Sequence, residues 1–163
     1  MQQRMYHRHH HGYLWVGPKS RFDQEALRRP PHPEAPPAGS RPEVIARYRE
    51  VAAEFPGCDL PPLETRNWLR KPPVQVRGTW SDPAEAAAWL DERLREYAPR
   101  FMSGAQRDVL RLSTLAASVE ARLEWGGDVS LGYYLERPVF LSLALVACCP
   151  EGGRARAVSC PVG

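Results

Sequence analysis

Residues 119–147 read VEARLEWGGDVSLGYYLERPVFLSLALVA, and the alternation in this stretch decides the fold class. Val119, Ala121, Leu123 and Trp125 alternate with Glu120, Arg122 and Glu124, and the Gly126-Gly127 pair follows as a turn signal. Val129, Leu131, Tyr133 and Leu135 repeat the pattern. After the turn at Glu136-Arg137-Pro138 it returns a third time as Val139, Leu141, Leu143, Leu145 and Ala147. Side chains two apart share one face of a strand, so three such runs predict an antiparallel meander with a continuous apolar face. Val109, Leu112, Ala116, Val119 and Leu123 also step by threes and fours as a helix would. With three matches for alternation, the helix is expected to cover about residues 104–117, after a Ser103/Gln106 capping box, and to end before the meander.

Upstream of this region, Val74, Val76, Gly78 and Trp80 alternate as a further half-buried strand. Asp82-Pro83-Ala84-Glu85 then supplies an N-cap, a proline at the first helical position and an acid in the first turn. The helix it opens carries Ala86, Leu90, Leu94 and Tyr97 on one stripe and closes at Pro99. An earlier helix is expected from a Ser40/Glu43 capping box to Pro56-Gly57, with Ile45, Tyr48, Ala52 and Phe55 facing inward. These elements predict an α+β fold: an antiparallel sheet of four or more strands, including the C-terminal meander, with about three helices packed on one face.

The chain has 163 residues, which suits one domain. Twelve of its seventeen prolines fall between Pro18 and Pro73. Residues 1–42 hold seven of the Lys and Arg and three acids, a balance of +4, whereas 43–163 hold fifteen and sixteen, a balance of −1. All five histidines also lie in the basic part. The organisation read from this is a basic, His- and Pro-rich arm over 1–41, a single α+β domain over 42–150 and a loose tail over 151–163. Within the arm, GYLWV (12–16) is a candidate short strand that would dock on the edge of the body's sheet. The prolines at 30, 33 and 36 favour extended polyproline II.

The longest apolar run, Val139 to Cys149, falls short of the roughly 18 residues a membrane helix needs. The opening residues also lack the apolar core of a secretory signal, so a cytosolic protein without a membrane partner is expected. Richness in Ala, Arg and Pro points to a high-GC bacterial genome.

Cys58, Cys148, Cys149 and Cys160 contain no C-x-x-C pair. Adjacent Cys148 and Cys149 would point to opposite faces of a strand, so the cysteines are expected to be idle thiols rather than a zinc site. His7, His9, His10 and His11 form the densest set of candidate metal ligands, read as an unstructured tract that wraps an ion adventitiously. No cofactor is expected.

Nucleophilic hydrolysis needs a base beside its nucleophile, and the body has no histidine. It also lacks G-x-S-x-G, the P-loop and G-x-G-x-x-G, so the chain reads as a binding protein with no catalytic residue assigned. Arg66, Trp68, Arg70 and Lys71 interleave an aromatic with cations and are candidates for partner contact, although the large apolar area of Trp68 favours it as core filler between helix and sheet. The leading expectation is protein–protein interaction of an accessory, regulatory or immunity type. The alternative is a small molecule held between sheet and helices by some of Trp80, Trp89, Trp125, Tyr133 and Tyr134. Nucleic-acid binding through the basic arm stands third.

Overall fold

The strand Val139–Cys148 is apolar at nearly every position because both of its faces are covered. The computed structural model describes residues 8–148 and 160–162. Its elements are β1 (His9–Pro18), α1 (Lys19–Phe22), α2 (Pro42–Gly57), β2 (Gly78–Trp80), α3 (Pro83–Tyr97), α4 (Val109–Glu124), β3 (Val129–Tyr134) and β4 (Val139–Cys148), with short 3-10 turns between them. The strands form one antiparallel sheet in the order β2-β1-β4-β3, which makes the class α+β.

On one face, Leu141, Leu143 and Leu145 of β4 join Ala86, Leu90 and Leu94 of α3 and Leu112, Val119 and Leu123 of α4 in the main core. On the other, Ala144, Val146 and Cys148 pack with Tyr13, Trp68 and Leu69, and Phe140 packs with Trp15 and Leu60. Two helices therefore cover the first face, and the turns of residues 58–71 cover the second. The helix α2 lies outside both layers, and Phe55 is its one buried residue.

Residues 119–124, read from their alternation as the first strand of a meander, are the last turns of α4. Val119 and Leu123 are four apart, so a helix buries both, whereas Ala121 stays exposed. The C-terminal strands are thus a hairpin, β3 and β4, rather than three strands. Helix α4 starts later than expected: Asp108 caps it by accepting from the Arg111 backbone N–H at 3.0 Å, and the Ser103/Gln106 region is a 3-10 turn. Asp82 caps α3 as expected, accepting from the Ala84 N–H at 2.8 Å. Helix α2 has Arg41 at its N-cap without a side-chain cap bond, so Ser40 does not play that part. Of the strand read over 74–80, only Gly78–Trp80 pairs, since Pro73–Gln75 turns as a 3-10 helix.

The largest departure concerns the arm. The candidate strand within it, expected at a sheet edge, is β1, which stands second in the sheet and pairs with β4 at ten positions from His9↔Cys148 to Pro18↔Val139. It extends beyond GYLWV to include His9, His10 and His11, which pair with Cys148, Ala147 and Val146 of β4. The following segment is held to the body too: Arg28 is buried and donates to the carbonyls of Pro61 at 2.7 Å and Phe22 at 3.1 Å.

Candidate metal centre

A strand places side chains two apart on the same face, so His9 and His11 stand side by side on β1. Their rings meet edge to face with centroids 4.8 Å apart. The antiparallel register sets Cys148 of β4 opposite His9, on the same face. Cys160 comes to this face from the C-terminal segment. Its Sγ lies 3.4 Å from His9 Nε2 and 3.4 Å from His11 Nε2. One donor atom from each of His9, His11, Cys148 and Cys160 lies within 4.8 Å of every other.

The two nitrogen–sulfur distances fit one ion, while the four donors as a set span up to 4.8 Å and would draw together around it. With Zn–N near about 2.05 Å and Zn–S near about 2.3 Å, a tetrahedral angle separates nitrogen from sulfur by about 3.5 Å. Both His–Cys160 distances are within about 0.1 Å of that edge, at 3.4 Å. A two-iron cluster of mixed His and Cys ligation would put imidazoles and thiolates on different irons. Here both imidazole nitrogens contact the same sulfur, as they would around a single centre.

The surroundings support the donors. His11 is fully buried and Cys148 is 1% exposed, while His9 and Cys160 are partly open. Thr79 Oγ1 lies 2.8 Å from His11 Nδ1, so the ring's second nitrogen has a fixed partner and Nε2 is left to face the site. Such outer contacts set the tautomer of a ligating histidine. Burial, with smaller contributions from the neighbouring His9 and His10, lowers the His11 pKa to about 4. The imidazole is therefore neutral near pH 7, the form that binds a metal.

The expected histidine tract is thus divided. His9 and His11 join the cluster on one face, and His10, one residue out of phase, is buried on the opposite face against the helices. His7 lies outside the described residues, as does Cys149. The expectation of an unstructured wrapping tract is corrected by the pairing of β1, which holds two of the imidazoles rigidly. Adjacent Cys148 and Cys149 are disfavoured as joint zinc ligands by the opposite facing of neighbours on a strand. The partner that the structure supplies is Cys160, twelve residues further on. H-x-H at the start of a strand was the signal for the histidine half, and nothing in the sequence pattern placed Cys160.

The other candidate residues do not converge. Trp68 is buried and stacks on Tyr13 at 4.5 Å between centroids, filling the second face of the sheet. Lys71 is buried too, donating to the carbonyls of Phe55 and Cys58, so of that cluster only Arg66 and Arg70 reach solvent. Arg66 lines a surface groove with Glu64, Arg122 and Asp128, where the charges are mixed. Trp80 and Trp89 pack on each other, and Tyr133 stacks on Phe101 at 4.4 Å. Trp125 and Tyr134 are exposed. The five aromatics expected to line a pocket therefore line none together among the described residues. No family model matches the chain, and no curated protein or solved structure matches it either.

Proposed function

We propose that this is a metal-binding protein whose His9, His11, Cys148 and Cys160 hold a single zinc-class ion. The observation that carries the reading is the placement of both imidazole Nε2 atoms 3.4 Å from one thiol sulfur, itself grouped with a second thiol. Two nitrogens and two sulfurs grouped within 4.8 Å suit zinc in preference to the hard cations, which take oxygen ligands. Four protein donors leave no open position for water or substrate, so the ion's work is structural. It clasps the start of β1 and the end of β4 to the segment around Cys160, joining the two ends of the described chain. Any role toward a protein partner is then one of binding, for which the exposed Val109 and Leu110 at the start of α4 and Trp125 at its end offer apolar contact.

The test is metal analysis of protein purified without metal-affinity resin, followed by cobalt substitution. One equivalent of zinc is expected, and cobalt should give the intense visible bands of a tetrahedral site with a sulfur-to-metal charge-transfer band. His11→Ala and Cys160→Ser should each weaken binding by about a hundredfold or more, while Cys58→Ser should not. A cobalt spectrum without the sulfur band, or unchanged affinity in both ligand variants, would place the metal away from this cluster.

A further inference from the structure

We propose that Cys148 and Cys160 are also a site of oxidation by peroxide, which joins their sulfurs in a disulfide and so withdraws both thiolates from the metal. Their Sγ atoms already lie within 4.8 Å of each other. A disulfide needs about 2.05 Å, so closure asks for less than about 3 Å of approach. The two positions differ in a way that orders the reaction. Cys148 is 1% exposed and fixed by the pairing of β4 with β1. Cys160 is partly exposed and belongs to neither helix nor strand, so it is the sulfur a dissolved oxidant reaches and the one that can move.

The chemistry balances with hydrogen peroxide as oxidant. The Cys160 sulfur attacks one peroxide oxygen, the O–O bond breaks, and the products are a sulfenic acid and water. The Cys148 sulfur then attacks the sulfenic sulfur, the S–O bond breaks, and the oxygen leaves as a second water carrying the remaining proton. Two thiols have lost two electrons and peroxide has gained them. Disulfide sulfur is a poor metal donor, which leaves His9 and His11 as the only strong ligands of the four. Two imidazoles alone hold zinc weakly, and the ion departs.

The release step rests on the metal-binding reading, but the disulfide does not require it. The experiment therefore treats both zinc-loaded and metal-free full-length protein with hydrogen peroxide. It follows free thiols, intact mass and peptide maps, with a chromogenic chelator reporting zinc. Expected in both forms is an intramolecular Cys148–Cys160 disulfide with a mass loss of about 2 Da. The loaded form should also release one equivalent of zinc. Cys160→Ser should abolish the disulfide, and Cys149→Ser and Cys58→Ser should leave it unchanged, which also settles which of the adjacent cysteines reacts. Bonds to Cys58 or Cys149, covalent dimers, or sulfinic acid without a disulfide would overturn the proposal, even in protein that binds zinc. Protein that binds no zinc yet forms the disulfide would sink the metal reading and keep the dithiol pair.

Discussion

His9 and Cys148 stand opposite each other across the β1–β4 ladder, so one donor from the start of the sheet and one from its end are set by a single register. A slip of one residue would carry His9 and His11 to the helix face and His10 to the cysteine face. The register is itself enforced by burial, because Tyr13 and Trp15 share the histidine face while Leu14 and Val16 pack on the main core. The hydrophobic pattern that builds the sheet therefore also assembles most of the metal site, and only Cys160 is delivered by another segment.

Thr79→Ala should weaken metal binding without unfolding the protein. Thr79 is exposed on the edge strand, and its hydroxyl meets His11 Nδ1 at 2.8 Å. Loss of an outer contact of this kind costs about 10- to 100-fold in affinity. Thr79→Ser, which keeps the hydroxyl, should recover most of it. Competition between cobalt-loaded protein and a chelator gives the comparison, and equal affinity in wild type and Thr79→Ala would show that the hydroxyl does not orient the ring.

The parts of the fold that were legible in the sequence are those where one periodicity dominates. The alternation of Val129 to Leu135 and Val139 to Ala147 named the hairpin, and Asp82-Pro83 named the start of α3. Residues 119–124 misled because Val119, Ala121 and Leu123 fit two periods, and alternation counts Ala121 as buried when the helix exposes it. Strand β1 is half visible: GYLWV reads as a strand, but the three histidines before it read as a solvated tract. Imidazole is polar by composition yet is buried readily when neutral, as His10 and His11 are. The pairing of Cys148 with Cys160 is a contact between a strand end and a segment without periodicity, and no pattern of spacing encodes it.

Truncation tests how much of the fold rests on β1. Deleting residues 2–8 should leave a cooperatively folding protein that retains the cluster ligands. Deleting 2–18 removes β1, exposes both flanking strands and takes Tyr13 and Trp15 out of the second face. That form should show no cooperative transition in circular dichroism. A sharp thermal transition in it would mean that β3 and β4 fold against the helices without their central neighbour.

Gly12→Ala should destabilise the sheet–helix contact. A Cβ at Gly12 would lie 2.9 Å from ring carbons of both Trp80 and Trp89, which close over this position. Overpacking of this kind costs about 1–3 kcal/mol, because two paired rings must shift together. Gly39→Ala is the control, since nothing lies within 4 Å of a Cβ there, and its effect should stay within about 0.5 kcal/mol. Urea titrations monitored by tryptophan fluorescence give both values, and equal midpoints would show that the indoles move aside freely.

Lys71 predicts a pH dependence with a defined sign. Its Nζ donates to the carbonyls of Phe55 at 2.7 Å and Cys58 at 2.8 Å and lies 3.9 Å from the centre of the Phe55 ring. Burial nevertheless lowers its pKa from 10.5 to about 8, against the smaller raising effect of Cys58 and Asp59. Below pH 8 the folded and unfolded chains both carry the proton, and the fold bears the cost of a buried charge. Between about 8 and 10.5 the unfolded chain holds the proton and the folded chain has released it, so stability rises with pH across that window. The gain is on the order of 3 kcal/mol, and the neutral amine can still donate to the two carbonyls. Other groups titrate in the same range, so the quantity to measure is the difference in unfolding free energy between metal-free wild type and Lys71→Met at pH 7, 8, 9 and 10. That difference should move in favour of the wild type with each step above pH 8. A difference that stays flat would mean that the ammonium is fully compensated by its two carbonyls and the Phe55 ring.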